Sequence, residues 1–107
     1  MATKELRREL CSYVYDFLLE QRWTDLVRDR AGLNNDQMRL VRKGTCPVGY
    51  VYRLMHALHS VVAEGQSDIE RCELDGLRRS IGSILNGMTA AQHLEFCKEL
   101  YHCKTQE

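Results

Sequence analysis

The chain has 107 residues, 44% of them hydrophobic and 28% charged, with 15 basic side chains against 15 acidic ones. This is one domain's worth of chain with an ordinary globular composition, which excludes disordered or collagen-like polymers and leaves room for a single core. A formal charge of zero excludes a uniformly basic nucleic-acid coat, and no apolar run reaches the roughly 18–20 residues of a membrane span, so no membrane partner is expected.

A single proline, the absence of alternating strand-like runs, and recurrent i, i+3/i+4 apolar spacing predict an all-α fold. The expected architecture is one compact bundle of five to six helices spanning residues 1–107. The first helix is expected from about Thr3 to Gln21, with Leu6, Leu10, Val14, Phe17 and Leu18 on its apolar face. A short second helix covers Thr24 to Ala31, turns Leu26 and Val27 inward, and is closed by Gly32. Asn34 and Gln37 form a capping pair for a third helix that buries Met38 and Val41 and ends at Gly44. Pro47 sits near the first turn of a fourth helix, Val48 to Glu64, where its missing N–H costs nothing. That helix uses Val51, Leu54, Met55, Leu58 and Val62, and Gly65 is its expected stop.

Ser67 and Glu70 make a capping box for a fifth helix reaching about Asn86, with a seam of Ile69, Leu74, Leu77, Ile81, Ile84 and Leu85. Gly76 and Gly82 each cost such a helix about 1 kcal/mol relative to alanine, or mark a close helix crossing. Thr89 and Gln92 cap a sixth helix whose expected inward residues are Leu94, Cys97, Leu100 and Tyr101.

The five cysteines, Cys11, Cys46, Cys72, Cys97 and Cys103, show no CxxC spacing. Nor does the stretch from Met1 to Leu10 lead into the apolar run of a signal peptide. They are read as reduced thiols of a cytoplasmic protein, packed on or beside helix faces. His93 and Cys97, four apart, and His56 and His59, three apart, lack the further ligands of a recognisable metal pattern, so packing is the expected role and no metal or other cofactor is called for. The sequence contains no GxSxG, GK[ST] phosphate loop, GxGxxG or HExxH, and its carboxylates fall among basic residues on solvated helix positions. No enzyme activity is expected.

The stretch from Thr24 to Leu58 carries the functional signal. Two short helices separated by Gly32 and closed by Gly44 match the spacing of a helix-turn-helix, assigned to residues 24–44. Its second helix, about 34–43, would present Asn34, Asn35, Gln37 and Arg39, amides that suit adenine and an arginine that suits guanine. Arg28, Arg42, Lys43 and Arg53 would approach phosphates. RAGL at Arg30 to Leu33, the interval from Gly32 to Gly44, and RLMHAL at Arg53 to Leu58 resemble the Cro and lambda-repressor-like family of phage and bacterial transcription regulators. The resemblance covers about a third of the chain. It implies sequence-specific binding of double-stranded DNA, usually as a dimer, with Thr24 contacting phosphate at the start of the first motif helix. Arg28 stands where that family has a small residue, and Asp36 brings a negative charge to the reading end. For the homodimer, residues 66–103 are the expected interface, through Ile81, Ile84, Leu85, Leu94 and Tyr101.

A second resemblance leads to another class. The run from Trp23 through LNNDQMRLVRKG is similar to the second and third helices of death-fold domains, including caspase-recruitment domains. It implies a homotypic protein-interaction adaptor, in which Arg39, Arg42, Lys43 and Arg53 meet an acidic face of a helical partner. Glu64, Asp68, Glu70, Glu73 and Asp75 would supply that face. A helical inhibitor or other interaction protein is the remaining alternative. Neutrality conceals opposed halves: residues 1–59 carry ten basic and seven acidic side chains, a net of +3, and residues 60–107 carry five and eight, a net of −3. Within residues 22–53 the balance is seven to three, or +4.

Overall fold

A computed structural model of the chain describes residues 3–105, with side chains described for residues 3–99. Six helices occupy the described residues: α1 (Thr3–Gln21), α2 (Thr24–Ala31), α3 (Asn35–Lys43), α4 (Val48–Gly65), α5 (Asp68–Asn86) and α6 (Ala90–Thr105). None of the described residues is in a strand. The caps fix the starts. The Asn34 side-chain oxygen accepts from the Gln37 N–H and the Gln37 side-chain oxygen accepts from the Asn34 N–H, both at 2.8 Å. Thr89 and Gln92 repeat this reciprocal pair at 3.2 and 2.9 Å. Ser67 supplies the side-chain half of the third cap, accepting from the Glu70 N–H at 3.3 Å.

Helices α1 and α4 form the axis. α1 is flanked by α2, α3 and α5, and α4 by α2, α5 and α6, with the two axial helices packed on each other. Leu10, Val14 and Leu18 from α1 and Val51, Leu54 and Leu58 from α4 are fully buried where they meet, joined by Val27 and Val41. No polar or charged residue is buried among the described residues, so apolar burial carries the core, at about 25 cal/mol per Å². A radius of gyration of 13.4 Å agrees with the about 13 Å of a single 100-residue domain.

Several inward assignments are corrected. Leu26 is 46% exposed because α2 faces the core through Val27 and Ala31, one helical turn apart, and Leu26 lies off that line. Ile69 is 73% exposed. The α5 seam is Leu74, Leu77 and Ile81, and Ile69 stands about 140° around the helix from Leu74. On α6, Phe96 is the buried residue, whereas Leu94 (58% exposed) and Cys97 face solvent, as does Cys72 on α5. The side chains of Leu100, Tyr101 and Cys103 lie outside the described residues. α4 runs through Gly65, and Gln66 takes the left-handed turn at φ 56°, where its N–H still reaches the Val62 carbonyl at 3.2 Å.

Polar residues seat α6. Glu99 pairs with Arg7 of α1, and its other oxygen accepts from the Val48 N–H at 3.3 Å. This caps α4, whose N-cap Pro47 makes no side-chain cap bond, and puts a carboxylate at a positive helix end. The Arg7 guanidinium also lies 5.8 Å from the Phe96 ring centroid, within cation–π range.

Gly44 holds φ +75°, and a Cβ there would lie 3.0 Å from the Arg8 Cα and 2.9 Å from its Cγ. Backbone cannot swing aside, so Gly44→Ala is expected to cost about 2 kcal/mol or more, combining left-handed strain with the clash. Gly82 is helical, and a Cβ there meets nothing within 4 Å, which removes the close-crossing explanation. Gly82→Ala is therefore expected to stabilise by up to about 1 kcal/mol. Urea unfolding of the two variants beside the wild type checks both signs.

Candidate functional site

The positive segment folds into α2, its turn and α3, with Arg53 of α4 behind them. Leu33, Met38 and Val41 are buried, which seats α3 with one face inward and leaves Arg39, Leu40, Arg42 and Lys43 at the surface. α3 rests on α1 and, less extensively, on α4; α2 rests chiefly on α4. α2 and α3 are thus not a closely packed pair, and Arg28 stands between them, bonding Asn35 at 2.7 Å.

Eight of the nine residues assigned to DNA contact divide into two groups, with Thr24 apart from both. Those at the α2–α3 turn are already engaged within the chain. Arg28 pairs with Asp25 at 3.2 Å and Asp29 at 2.9 Å. Arg53 donates to the carbonyls of Ala31 and Gly32, both at 3.1 Å, closing the C-terminal end of α2. The side-chain oxygens of Asn34 and Gln37 accept in the cap, and that of Asn35 accepts from Arg28. Bidentate adenine recognition needs an amide's oxygen and its NH2 together. All three amides are exposed or half-buried, and each oxygen already accepts one bond within the chain, leaving one lone pair. Thr24 is half-buried at the first position of α2.

The second group faces outward. Arg39 pairs with Asp36 at 3.4 Å across an exposed turn, whereas Arg42 and Lys43 are exposed and have no ion pair among the described residues. Their position in the last turn of α3 is favourable in itself, since cations complement the negative end of the helix. Arg8 of α1 adjoins them, because its backbone packs directly against Gly44 at the end of α3. No local spacing signals that neighbour, 36 residues away in the chain.

The acidic residues expected to form one face are divided. Glu64 pairs with Arg30 at 2.7 Å, and Glu73 accepts from Gln21 on the α1 side of α5. Asp68 pairs with Arg71 and Asp75 with Arg78 along α5. Asp75, Arg71 and Arg78 line a shallow α4–α5 groove with His59. Desolvation and the neighbouring Arg78 and His56 hold His59 below its ordinary value. The less compensated acidic surface lies elsewhere. Asp16 and Glu20 of α1, with Tyr13, Phe17, Leu77, Gly76 and Ser80, line an α1–α5 groove of about 280 Å³. Tyr13 is exposed there, and Leu77 forms part of an apolar floor. Helical spacing alone predicts Phe17 and Leu77 only as core residues.

Of the expected dimer residues, Ile81 is 7% exposed and belongs to the monomer's own core, with Ile84 and Leu85 packed against it. Leu94 alone of the four described is broadly exposed, and the Tyr101 side chain lies outside the described residues. Among the described residues these positions form no continuous exposed apolar stripe. Among the described residues no three His, Cys, Asp or Glu side chains cluster as a metal site. No described helix is long and apolar enough to cross a membrane.

The cap role of Asn34 is separable from any contact role. Asn34→Ala is expected to lower stability by about 1 kcal/mol, and Asn34→Ser to stay within a few tenths of wild type, because serine keeps the acceptor. Thermal unfolding of the pair checks this. No family model, no curated protein and no solved structure matches the chain.

Proposed function

We propose that this chain is a helical protein-interaction module that docks on a second copy of itself, the cationic end of α3 on one copy meeting the acidic α1–α5 groove on the other. The observation carrying this reading is the unpaired state of Arg42 and Lys43 among the described residues, beside Arg8, on a molecule whose α1–α5 groove presents Asp16 and Glu20 over an apolar floor. Rim charges of this kind steer and orient association, and Tyr13 and Phe17 add apolar contact beside them. Two different patches on one molecule give a head-to-tail contact, which closes into a ring or continues as a filament. The similarity of Trp23 to Gly44 to death-fold helices agrees with homotypic docking of this type.

Duplex DNA is the second reading, and the same exposed Arg39, Arg42 and Lys43 support it. Those cations suit phosphates, which fix position without reading sequence. The spacing of α2 from α3, with Arg28 held between them by Asp25, Asp29 and Asn35, favours the protein reading over base recognition.

Sedimentation velocity over a wide concentration range, at low and high salt, tests the proposal. The expected result is a weight-average mass that rises with concentration and falls with added salt. A monomer at all concentrations in low salt overturns it. Retarded migration of a duplex that depends on its sequence transfers the function to DNA.

A further inference from the structure

We infer that Cys11 and Cys46 are an oxidisable pair that closes to a reversible intramolecular disulfide, fastening α1 to the segment between α3 and α4. Their sulfurs lie 3.4 Å apart across 35 residues of chain, and both residues are fully buried. Cys11 is held on the inner face of α1 between Leu10 and Val14, and Cys46 is pinned between Gly44, which packs on Arg8, and the start of α4. The two thiols therefore face each other by construction of the fold. A bond of about 2.05 Å requires an approach of little more than an ångström.

The pair is chemically asymmetric. The hydrogen-bonding contact with Cys46, against the opposing effect of burial and aided by the Arg7 guanidinium, lowers Cys11 below an ordinary thiol. The same hydrogen bond and burial push Cys46 up. Both sulfurs are fully buried, so a peroxide reaches them on local opening of the chain. Cys11, whose thiolate the Arg7 guanidinium favours, is then the attacking sulfur and Cys46 the resolving one. The co-reactant is a small hydroperoxide, of which hydrogen peroxide is the simplest. The Cys11 thiolate attacks the peroxide oxygen; an S–O bond forms, the O–O bond breaks, and hydroxide leaves and is protonated to water. The Cys46 thiol then attacks the Cys11 sulfenic sulfur; the S–S bond forms, the S–O bond breaks, and the departing hydroxide takes the Cys46 proton as a second water. The two thiols supply the two electrons that reduce the peroxide.

Cys72 and Cys97 are exposed and would react independently, so the test removes them. The full chain carrying Cys72→Ser, Cys97→Ser and Cys103→Ser is reduced, treated folded with hydrogen peroxide, quenched in acid, unfolded and alkylated. Intact mass is then measured. The expected product has lost two hydrogens and takes up no alkylating agent, and dithiothreitol restores both thiols. Its thermal midpoint is expected to rise by several degrees over the reduced form, as for a cross-link closing a loop of this length. Full alkylation of both cysteines after peroxide, addition of oxygen without an S–S bond, or a midpoint that falls on oxidation would each overturn the inference. Peptide mapping of the oxidised wild type provides a second readout, since only the predicted pair yields a linked peptide containing Cys11 and Cys46.

Discussion

Leu54→Ala is expected to lower the free energy of unfolding by about 3 kcal/mol, within the roughly 2–5 kcal/mol span of buried leucine truncations. Leu54 is fully buried on α4, the helix against which α1, α2, α5 and α6 pack, so several elements line the vacated space. Neighbours anchored on different helices cannot all collapse into one hole, which places the cost above the transfer term alone. Leu94→Ala is the matched control. At 58% exposure it loses little buried area, and its cost is expected to stay near or below about 0.5 kcal/mol. Urea unfolding at constant m-value measures both. For a domain whose whole stability is about 5–15 kcal/mol, the Leu54 variant remains folded but melts far earlier.

Reversing the α3 cations is expected to act on association. Arg42→Glu/Lys43→Glu should weaken self-association about tenfold, since each exposed attraction of a few tenths of a kcal/mol becomes a repulsion of similar size, and about 1.4 kcal/mol is tenfold. The substitutions also put negative charge in the last turn of α3, an unfavourable helix end worth about 0.3–1 kcal/mol per residue. The neutral variant Arg42→Gln/Lys43→Gln separates the two effects. It is expected to retain near-wild-type stability and an intermediate affinity. Sedimentation gives the association constants, and thermal melts give the stabilities.

The local grammar of this fold was written in short stretches of sequence. Asn34 with Gln37, Ser67 with Glu70 and Thr89 with Gln92 announce three helix starts, because a cap is a contact between residues three apart. Gly32 and Gly44 likewise end α2 and α3 in left-handed turns, at φ 74° and 75°. What spacing could not supply was rotation and tertiary partnership. Leu26, Ile69 and Leu94 fit an apolar pattern one at a time, but the neighbouring helix decides which stripe is covered. The inward face of α6 was obscured for a further reason: it is half polar, held by Phe96 and by Glu99 bonding to Arg7 and Val48.

The functional region was legible as a positive segment and not as an arrangement. Composition identified Arg39, Arg42 and Lys43 as a cationic stretch, while only tertiary structure separates the committed Arg28 and Arg53 from Arg42 and Lys43, which have no ion pair among the described residues. Asp16 and Glu20 share one exposed side of α1, yet the groove they border exists only once α5 lies beside them. The proximity of Cys11 and Cys46 was equally hidden, being a contact between elements 35 residues apart.

A mixing experiment tests the docking proposal most directly. Arg42→Glu/Lys43→Glu reverses the cationic patch, and Asp16→Lys/Glu20→Lys reverses the groove. Each variant alone is expected to sediment as a monomer at concentrations where the wild type associates. Equal mixtures are expected to recover a larger, salt-sensitive species, because the intact groove of one meets the intact α3 of the other. Mixtures that stay monomeric, or single variants that associate like the wild type, would contradict docking between these two surfaces.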